Sequence, residues 1–506
     1  MKIRQILRNA ATNYGRTAAL FLIALLMTPL IIHKLGSESY GLWVLMQSIA
    51  GYFGLADLGI TTSAARYIAH YRALEDWESL NRTISTTLCC YVGAGAFGMI
   101  GSVMLAFAAP HLFRLSPEQT QTLRILILLV GAILVVGFVS TLSIQCVLAA
   151  QRLDVLNLQQ LTVQLIATAL GVIGLYMGYG VILLAVLQLL STVLNGLGAY
   201  WLCRRFLPQA RFRLHWYPSE AALVVSFAAF SVLITLGERI IYSTDSLVIA
   251  SCLSVAAVTG YGVAQKISEF QGSMVAAGVT VLGTFAAEQA ALGKNESLAQ
   301  MWMAGTKWSL SITLPITTGL ILLGPEIIHA WIGRNYAGAG LAIAWLAAGQ
   351  VFDLAQISAF QVLMNSGRHK PIAAVILSEA LINLSLSLWL VRIYGIVGVA
   401  MGTTIPILLR SMVFYPLYMR HVTRCSLRDY LSRAIIPPTL ASVPVMLLII
   451  AYAMIPTLPH GSIGLVGLAV LSLVLMCFFN YQFCLTADAK TKTKAHLFQM
   501  FRSRFR

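Results

Sequence analysis

Long stretches with almost no charge recur along this chain, and a membrane-spanning helix needs about 20 mostly apolar residues. Fourteen such stretches can be drawn, at approximately 12–33, 39–63, 84–109, 122–149, 155–177, 180–203, 222–251, 257–285, 304–324, 338–365, 370–391, 395–418, 434–455 and 462–485. In lipid every backbone N–H and C=O must be satisfied internally, so stretches of this length form α-helices. A soluble protein carries about 25% charged residues. This chain of 506 residues carries 10%, with 58% hydrophobic. The expected fold class is all-α: a polytopic membrane protein with about 14 transmembrane helices.

The net charge of +16 invites a nucleic-acid reading. Its distribution argues against one, because the basic residues sit in short loops between apolar segments. With the N-terminus inside, 25 of the 34 Lys and Arg fall on the cytoplasmic side and five on the other. That split is the positive-inside pattern, and it places both termini in the cytoplasm. Lys2, Arg4 and Arg8 precede the first apolar run, which reads as an uncleaved first helix. The tail, with Lys490, Lys492, Lys494, Arg502, Arg504 and Arg506, suits anionic inner-leaflet lipid. The eight cysteines lie mostly in or beside apolar segments without a C-x-x-C pair, and read as small hydrophobes. No nucleotide-binding G-x-x-x-x-G-K-[ST] sequence occurs.

Charge inside the apolar segments is concentrated between Gly237 and Glu269. Glu238, Tyr242 and Asp245 are spaced i, i+4, i+7, and Lys266, Glu269, Phe270 and Ser273 fall at i, i+3, i+4, i+7 in the next segment, so each set shares a helix face. A charge at the bilayer centre costs about 2.5–3.5 kcal/mol on insertion scales. These groups, with Arg239, must therefore face protein or water, either in a substrate site or as ion pairs joining two helices. Other buried polar groups are Arg16 and Asp57 near the inner ends of their helices, and Asp353, Glu379 and Arg410. Asp353 and Arg410 are placed to pair. Pro29 and Pro315 are expected to kink their helices. Trp43, Tyr52, Tyr242 and Tyr261 are either interface anchors or platforms for stacking on sugars.

The chain repeats itself at an offset of 215 to 221. Ser39-Tyr40-Gly41 matches Gly260-Tyr261-Gly262; Gln145 and Arg152 match Gln361 and Arg368; Gly178-Tyr179-Gly180-Val181 matches Ile393-Tyr394-Gly395-Ile396. Six segments separate the copies, an even number, so both copies have one orientation. The expectation is two pseudo-symmetric six-helix bundles, an N-lobe over 1–215 and a C-lobe over 216–425, followed by two C-terminal helices and the basic tail over 426–506.

Three runs carry a family likeness: Gly36-Ser37-Glu38-Ser39-Tyr40-Gly41-Leu42-Trp43, Gly54-Leu55-Ala56-Asp57-Leu58-Gly59-Ile60 and Arg66-Tyr67-Ile68-Ala69. They resemble the N-terminal signature of polysaccharide flippases, the Wzx-like branch of the MOP exporter superfamily. The resemblance implies a bacterial inner-membrane transporter and not an enzyme. It implies transfer of undecaprenyl-diphosphate-linked oligosaccharide from the cytoplasmic to the periplasmic leaflet by alternating access, for O-antigen or other surface polysaccharide. On that reading Arg239, Lys266 and Arg16 bind the pyrophosphate. Asp245, Glu269 and Glu238 couple transport to H+ or Na+, with no other cofactor, and Asp57, Tyr242, Glu379 and Arg410 line the cavity or gate it. Membrane lipids are partners, and a polysaccharide polymerase and chain-length machinery are candidates. Two cations against three carboxylates leave one excess negative charge in the hairpin, so protonation or cation binding must accompany an anionic cargo. The rivals are a multidrug/cation antiporter of the same superfamily and a membrane polymerase or glycosyltransferase. The antiporter wants an acidic, aromatic cavity. The polymerase or transferase needs large catalytic loops, which this sequence lacks.

Overall fold

A computed structural model describes residues 3–279, 289, 292–455 and 461–484. The basic tail and the end of the eighth apolar segment lie outside the described residues. All regular structure within them is helical. A helix or a bent pair of helices occupies each of the fourteen apolar segments. Ten helices are long and apolar enough to cross a bilayer, eleven if a pair bent by 43° counts as one span, and a total of fourteen is compatible with that.

The chain packs as two compact units. Unit 1 is Met1–Gly262 with Lys370–Val399, and unit 2 is Val263–His369 with Ala400–Arg506. Unit 1 contains α1 (Ile3–Phe53), α2 (Ile60–Ala73), α3 (Trp77–Leu112), α4 (Pro117–Ala149), α5 (Leu153–Tyr176), α6 (Val181–Phe206) and α7 (Pro218–Cys252). α8 (Val255–Val279) begins in unit 1 and continues into unit 2. Unit 2 also holds α9 (Asn295–Trp331), α10 (Gly340–Ala355) and α11 (Ile357–Asn365). α12 (His369–Tyr394) belongs almost wholly to unit 1, and the division cuts α13 (Ile396–Leu409). Unit 2 ends with α14 (Tyr415–Thr423), α15 (Leu427–Tyr430), α16 (Ile436–Met454) and α17 (Ser462–Phe483). The packing units and the lobes expected from the repeat are different divisions, and the pseudo-symmetric lobes remain a proposal.

The helix ends follow local chemistry. α4 starts with a capping box: Gln119 N–H donates to Ser116 Oγ at 3.3 Å and Ser116 N–H to Gln119 Oε1 at 3.0 Å. Together they satisfy two of the helix's orphan donors. Asp76 caps α3 by accepting from Ser79 N–H at 3.0 Å. The backbone of α1 leaves helical angles at Gly36 (φ 81°, ψ 172°), in the gap drawn between the first two apolar segments, and keeps them through Pro29. α9 continues through Pro315 and Pro325. A proline kink needs a neighbouring element to stabilise the bent form, whereas a glycine leaves the helix at little steric cost.

Outward faces are apolar and inward faces hold small polar groups. On α3, Phe97, Met104 and Phe107 are 68–72% exposed, while Thr83, Ser85, Thr86 and Thr87 are buried. This is the pattern of a chain solvated by lipid, where burying apolar surface gains little and small residues allow close helix contact. The eight cysteines form no disulfide. Cys146 and Cys203 are fully buried in the unit 1 core with Leu142, Leu202 and Tyr91.

The glycines of the repeat mark a reciprocal crossing within unit 1. A Cβ on Gly41 of α1 would run into the carbonyl of Val255, and one on Gly262 of α8 would lie 3.0 Å from Cγ2 of Val44. The hydroxyl of Thr259 donates to the Ser37 carbonyl across the same contact. Gly41→Val is therefore expected to destabilise the protein by about 1–3 kcal/mol through overpacking, read as a lower melting temperature in detergent. An unchanged melting temperature contradicts the contact.

Unit 2 carries a buried polar network. Trp302 Nε1 donates to Gln356 Oε1 at 3.1 Å, and Gln356 Nε2 donates to the Tyr430 hydroxyl at 2.8 Å. The two rings stack at 4.1 Å. Thr306 Oγ1 donates to the Ala355 carbonyl at 2.9 Å. Gln356→Leu strips the indole N–H of its acceptor, and an orphaned buried donor costs about 1–3 kcal/mol. Thermal unfolding should show that loss, and a Gln356→Leu protein as stable as the parent would show the network to be idle.

Candidate functional site

α7 separates its charged row by exposure. Glu238 and Arg239 are exposed and Tyr242 is 37% exposed, whereas Asp245 is 2% exposed. α1 approaches this row through Gly51. A Cβ there would lie 2.9 Å from Ser243 Oγ and 3.4 Å from Arg239 Nη1. The Arg239 guanidinium thus lies against the backbone of α1, held by the close approach that glycine permits. One residue on, the Tyr52 and Thr244 hydroxyls hydrogen-bond. Asp245 accepts from the hydroxyl of Tyr261, which is 1% exposed. Tyr52 and Tyr261 are thus engaged in helix contacts, and Tyr261 is too buried to present a ring to a sugar.

α12 adds a further buried acidic group to unit 1. Glu379 is 3% exposed, and Asn383 and Ser387 follow it at successive intervals of four, both buried. They form one polar stripe on a helix face. The helix meets α7 where a Cβ on Gly237 would come 2.5 Å from Ile376 Cγ2 and 3.2 Å from the Ile376 carbonyl. The sequence reading named Glu379 and passed over Asn383 and Ser387, although the spacing of four was there to see.

Asp57 holds the break between α1 and α2. Gly54–Asp57 is a single 3₁₀ turn, and Leu58 and Gly59 both take left-handed angles. The Asp57 carboxylate then accepts from Thr61 N–H at 3.2 Å, in the first turn of α2, and from the Thr61 hydroxyl. A carboxylate at a helix N-terminus is favoured by the dipole and the free N–H groups. Thr61 in turn bonds the Tyr91 hydroxyl at 2.8 Å. Arg16, on α1, is partly buried, and its Nε has no hydrogen-bond partner among the described residues.

A residue the sequence reading did not single out ties the start of α5 to the start of α1 in unit 1. Asp154, 2% exposed, pairs with Arg8 at 3.0 Å and Arg152 at 3.2 Å. Its backbone N–H donates to Asn9 Oδ1 at 3.1 Å. The only sequence signal was an acid in the first turn of a helix, which is common.

In unit 2, Lys266 pairs with Glu269 on its own helix at 2.9 Å, the side chains 38% and 51% exposed. Arg410 donates to Asp353 at 2.8 Å and to the Tyr415 hydroxyl at 3.3 Å. That pair is 10% and 19% exposed, and Arg410 opens a π-helical turn, Arg410–Phe414. The pairing expected of Asp353 and Arg410 is present. Exposed charges in mid-helix, such as Glu238 and Arg239, cannot be left in lipid at about 2.5–3.5 kcal/mol each.

Three comparisons bear on this arrangement. The model of the family described as "Polysaccharide biosynthesis protein" matches residues 6–282, more than half of the chain. A candidate O-antigen transporter of Shigella flexneri is 21% identical over 436 residues, covering 82% of this chain and 98% of that protein. Among solved structures, the lipid II flippase MurJ in an inward closed conformation aligns with a TM-score of 0.69 at 15% identity, covering 94% of this chain and 98% of that one. An inward-facing multidrug resistance MATE transporter of the MOP superfamily aligns with a TM-score of 0.65 at 16% identity, covering 82% and 99%. These two likenesses concern the fold.

Proposed function

Taking as premise that the chain belongs to the polysaccharide biosynthesis protein family, we propose that it flips undecaprenyl-diphosphate-linked oligosaccharide from the cytoplasmic to the periplasmic leaflet of the bacterial inner membrane. The chain is a multi-pass membrane transporter of the Wzx-like MOP branch. The cargo, the direction and the orientation with both termini in the cytoplasm are our reading.

The observation that carries it is Arg239, an exposed guanidinium in the middle of an apolar helix and laid against Gly51. A diphosphate crossing a bilayer needs a positive group at mid-depth, and a guanidinium binds phosphate oxygens in a bidentate fork. Lys266 and Arg16 are the further cations assigned to the headgroup. Asp245, Glu269 and Glu238 supply the coupling carboxylates, and Asp57, Tyr242, Glu379 and Arg410 the gate or cavity wall. Lys266 already neutralises Glu269 on its own helix. The excess negative charge then rests with Glu238 and Asp245 beside Arg239. H+ or Na+ taken up at one of these carboxylates is the coupling ion on this reading.

Cells lacking the protein test the reading directly. They should lose surface polysaccharide, accumulate lipid-linked oligosaccharide on the inner leaflet, and keep their drug resistance. Loss of drug resistance with polysaccharide intact would move the chain to the antiporter reading.

A further inference from the structure

The sequence repeat reproduces one helix end in atomic detail. In unit 1, Gln151 (φ 58°) donates through its N–H to the Leu148 carbonyl at 2.8 Å, and Arg152 to the Val147 carbonyl at 3.3 Å. In unit 2, Gly367 (φ 76°) donates to the Met364 carbonyl at 3.3 Å, and Arg368 to the Leu363 carbonyl at 3.0 Å. Both are Schellman caps, so Arg152 and Arg368 hold the same place in their own units.

Their surroundings differ. Arg152 is paired with buried Asp154 and covers the Phe206 ring at 4.1 Å. At the end of α6, Arg204 donates to the Ala210 carbonyl at 3.4 Å and Arg205 lies over the Trp201 ring at 5.4 Å. At this end of unit 1, Arg152, Arg204 and Arg205 are thus each engaged by neighbouring groups. At the repeat position of Asp154 the second copy has Lys370, and at those of Arg204 and Arg205, by the offset that relates Val181 to Ile396, it has Met419 and Arg420. Arg368 lines an open cleft of about 810 Å³ with Asn295, Tyr418, Arg420, His421 and Arg424, and among the described residues no acidic side chain lines it. The guanidinium groups of Arg368, Arg420 and Arg424 have no ion pair or hydrogen bond among the described residues. Leu417, 50% exposed, gives the cleft an apolar wall.

We propose that this cleft binds a lipid-borne phosphate. Three arginines and a histidine around one space repel each other unless an anion joins them, and guanidinium with phosphate is the favoured match. The apolar wall suits an amphiphile better than a free ion. The leaflet rests on the orientation proposed above, which puts the cleft at the cytoplasmic side where cargo is loaded. The competing account is local: Arg420 lies in the last turn of α14, where a cation stabilises the helix dipole.

Native mass spectrometry of the full chain in detergent separates these. The probes are phosphatidylglycerol, undecaprenyl diphosphate, phosphatidylethanolamine as the neutral lipid, and inorganic pyrophosphate as competitor. The variant R368Q/R420Q/R424Q should bind anionic lipid about tenfold or more weakly, as loss of charged hydrogen bonds predicts, and R368K/R420K/R424K should bind better than the glutamine variant. Weakening confined to undecaprenyl diphosphate identifies the cargo headgroup, and weakening for both lipids identifies a general anionic-lipid site; either supports the proposal. Unchanged lipid binding with a lowered melting temperature overturns it in favour of the dipole account. Displacement of lipid by equimolar pyrophosphate overturns the lipid requirement. A parent protein that binds through these arginines yet fails to flip cargo would leave the cleft standing and remove the transport reading.

Discussion

Arg239→Ala is expected to lower transport of lipid-linked oligosaccharide by about a hundredfold while the protein inserts and folds as before. The side chain is exposed, so its removal leaves no buried partner stranded. What is lost is a bidentate, charge-assisted contact with the diphosphate, about 3 kcal/mol, or about a hundredfold in affinity. Arg239→Lys keeps the charge and loses the fork, and should fall between the two. Surface polysaccharide in complemented cells, with lipid-linked intermediate measured in parallel, reads the effect. If Arg239→Ala transports as the parent does, the headgroup site is elsewhere.

Breaking the Asp353–Arg410 pair should have the largest effect on stability. The two side chains are 19% and 10% exposed and 2.8 Å apart. Arg410→Ala leaves a largely buried carboxylate without its cation, which costs about 3–5 kcal/mol. The double variant D353L/R410M removes both charges and should recover most of that loss, because an apolar pair of similar volume needs no desolvated ions. Melting temperatures in detergent for the single and double variants form the test. A double variant as unstable as Arg410→Ala contradicts a simple pair. A stable double variant that no longer transports would assign the pair the gating role proposed for Arg410.

Much of the fold was legible because lipid imposes a coarse rule. Length and apolarity alone place helices over all fourteen segments. Boundaries were less legible: helices such as α3 and α9 run well past their apolar cores, because polar turns can extend a helix into water or headgroups. The break between the first two segments was legible, since Gly36 falls in the gap between 12–33 and 39–63. Motifs quoted for family likeness resolved into packing. Gly41 is small because Val255 leaves no room for a Cβ, and Asp57 caps a helix after a left-handed break.

The charged hairpin was legible as a set of charges and illegible as partnerships. Asp245 takes its hydrogen bond from Tyr261, and Lys266 takes Glu269 from its own helix turn. Both choices depend on rotamers and on helix crossing, which spacing alone leaves open. Asp154 was hard to see for a related reason: Arg152 is only two residues away, but Arg8, the partner that makes the site a junction, comes from the first segment. The contrast between paired Arg152 and the cleft at Arg368 emerges only when the two caps are laid over one another by the repeat.

The most direct measurement is transbilayer movement by the purified protein. The full chain is reconstituted into vesicles with a fluorescent undecaprenyl-diphosphate oligosaccharide on one leaflet, and accessibility to a membrane-impermeant quencher is followed with and without a pH or Na+ gradient. The account predicts movement that needs the protein, responds to the gradient and fails with Arg239→Ala. Equal accessibility changes in vesicles with and without the protein, under the same gradient, would contradict it.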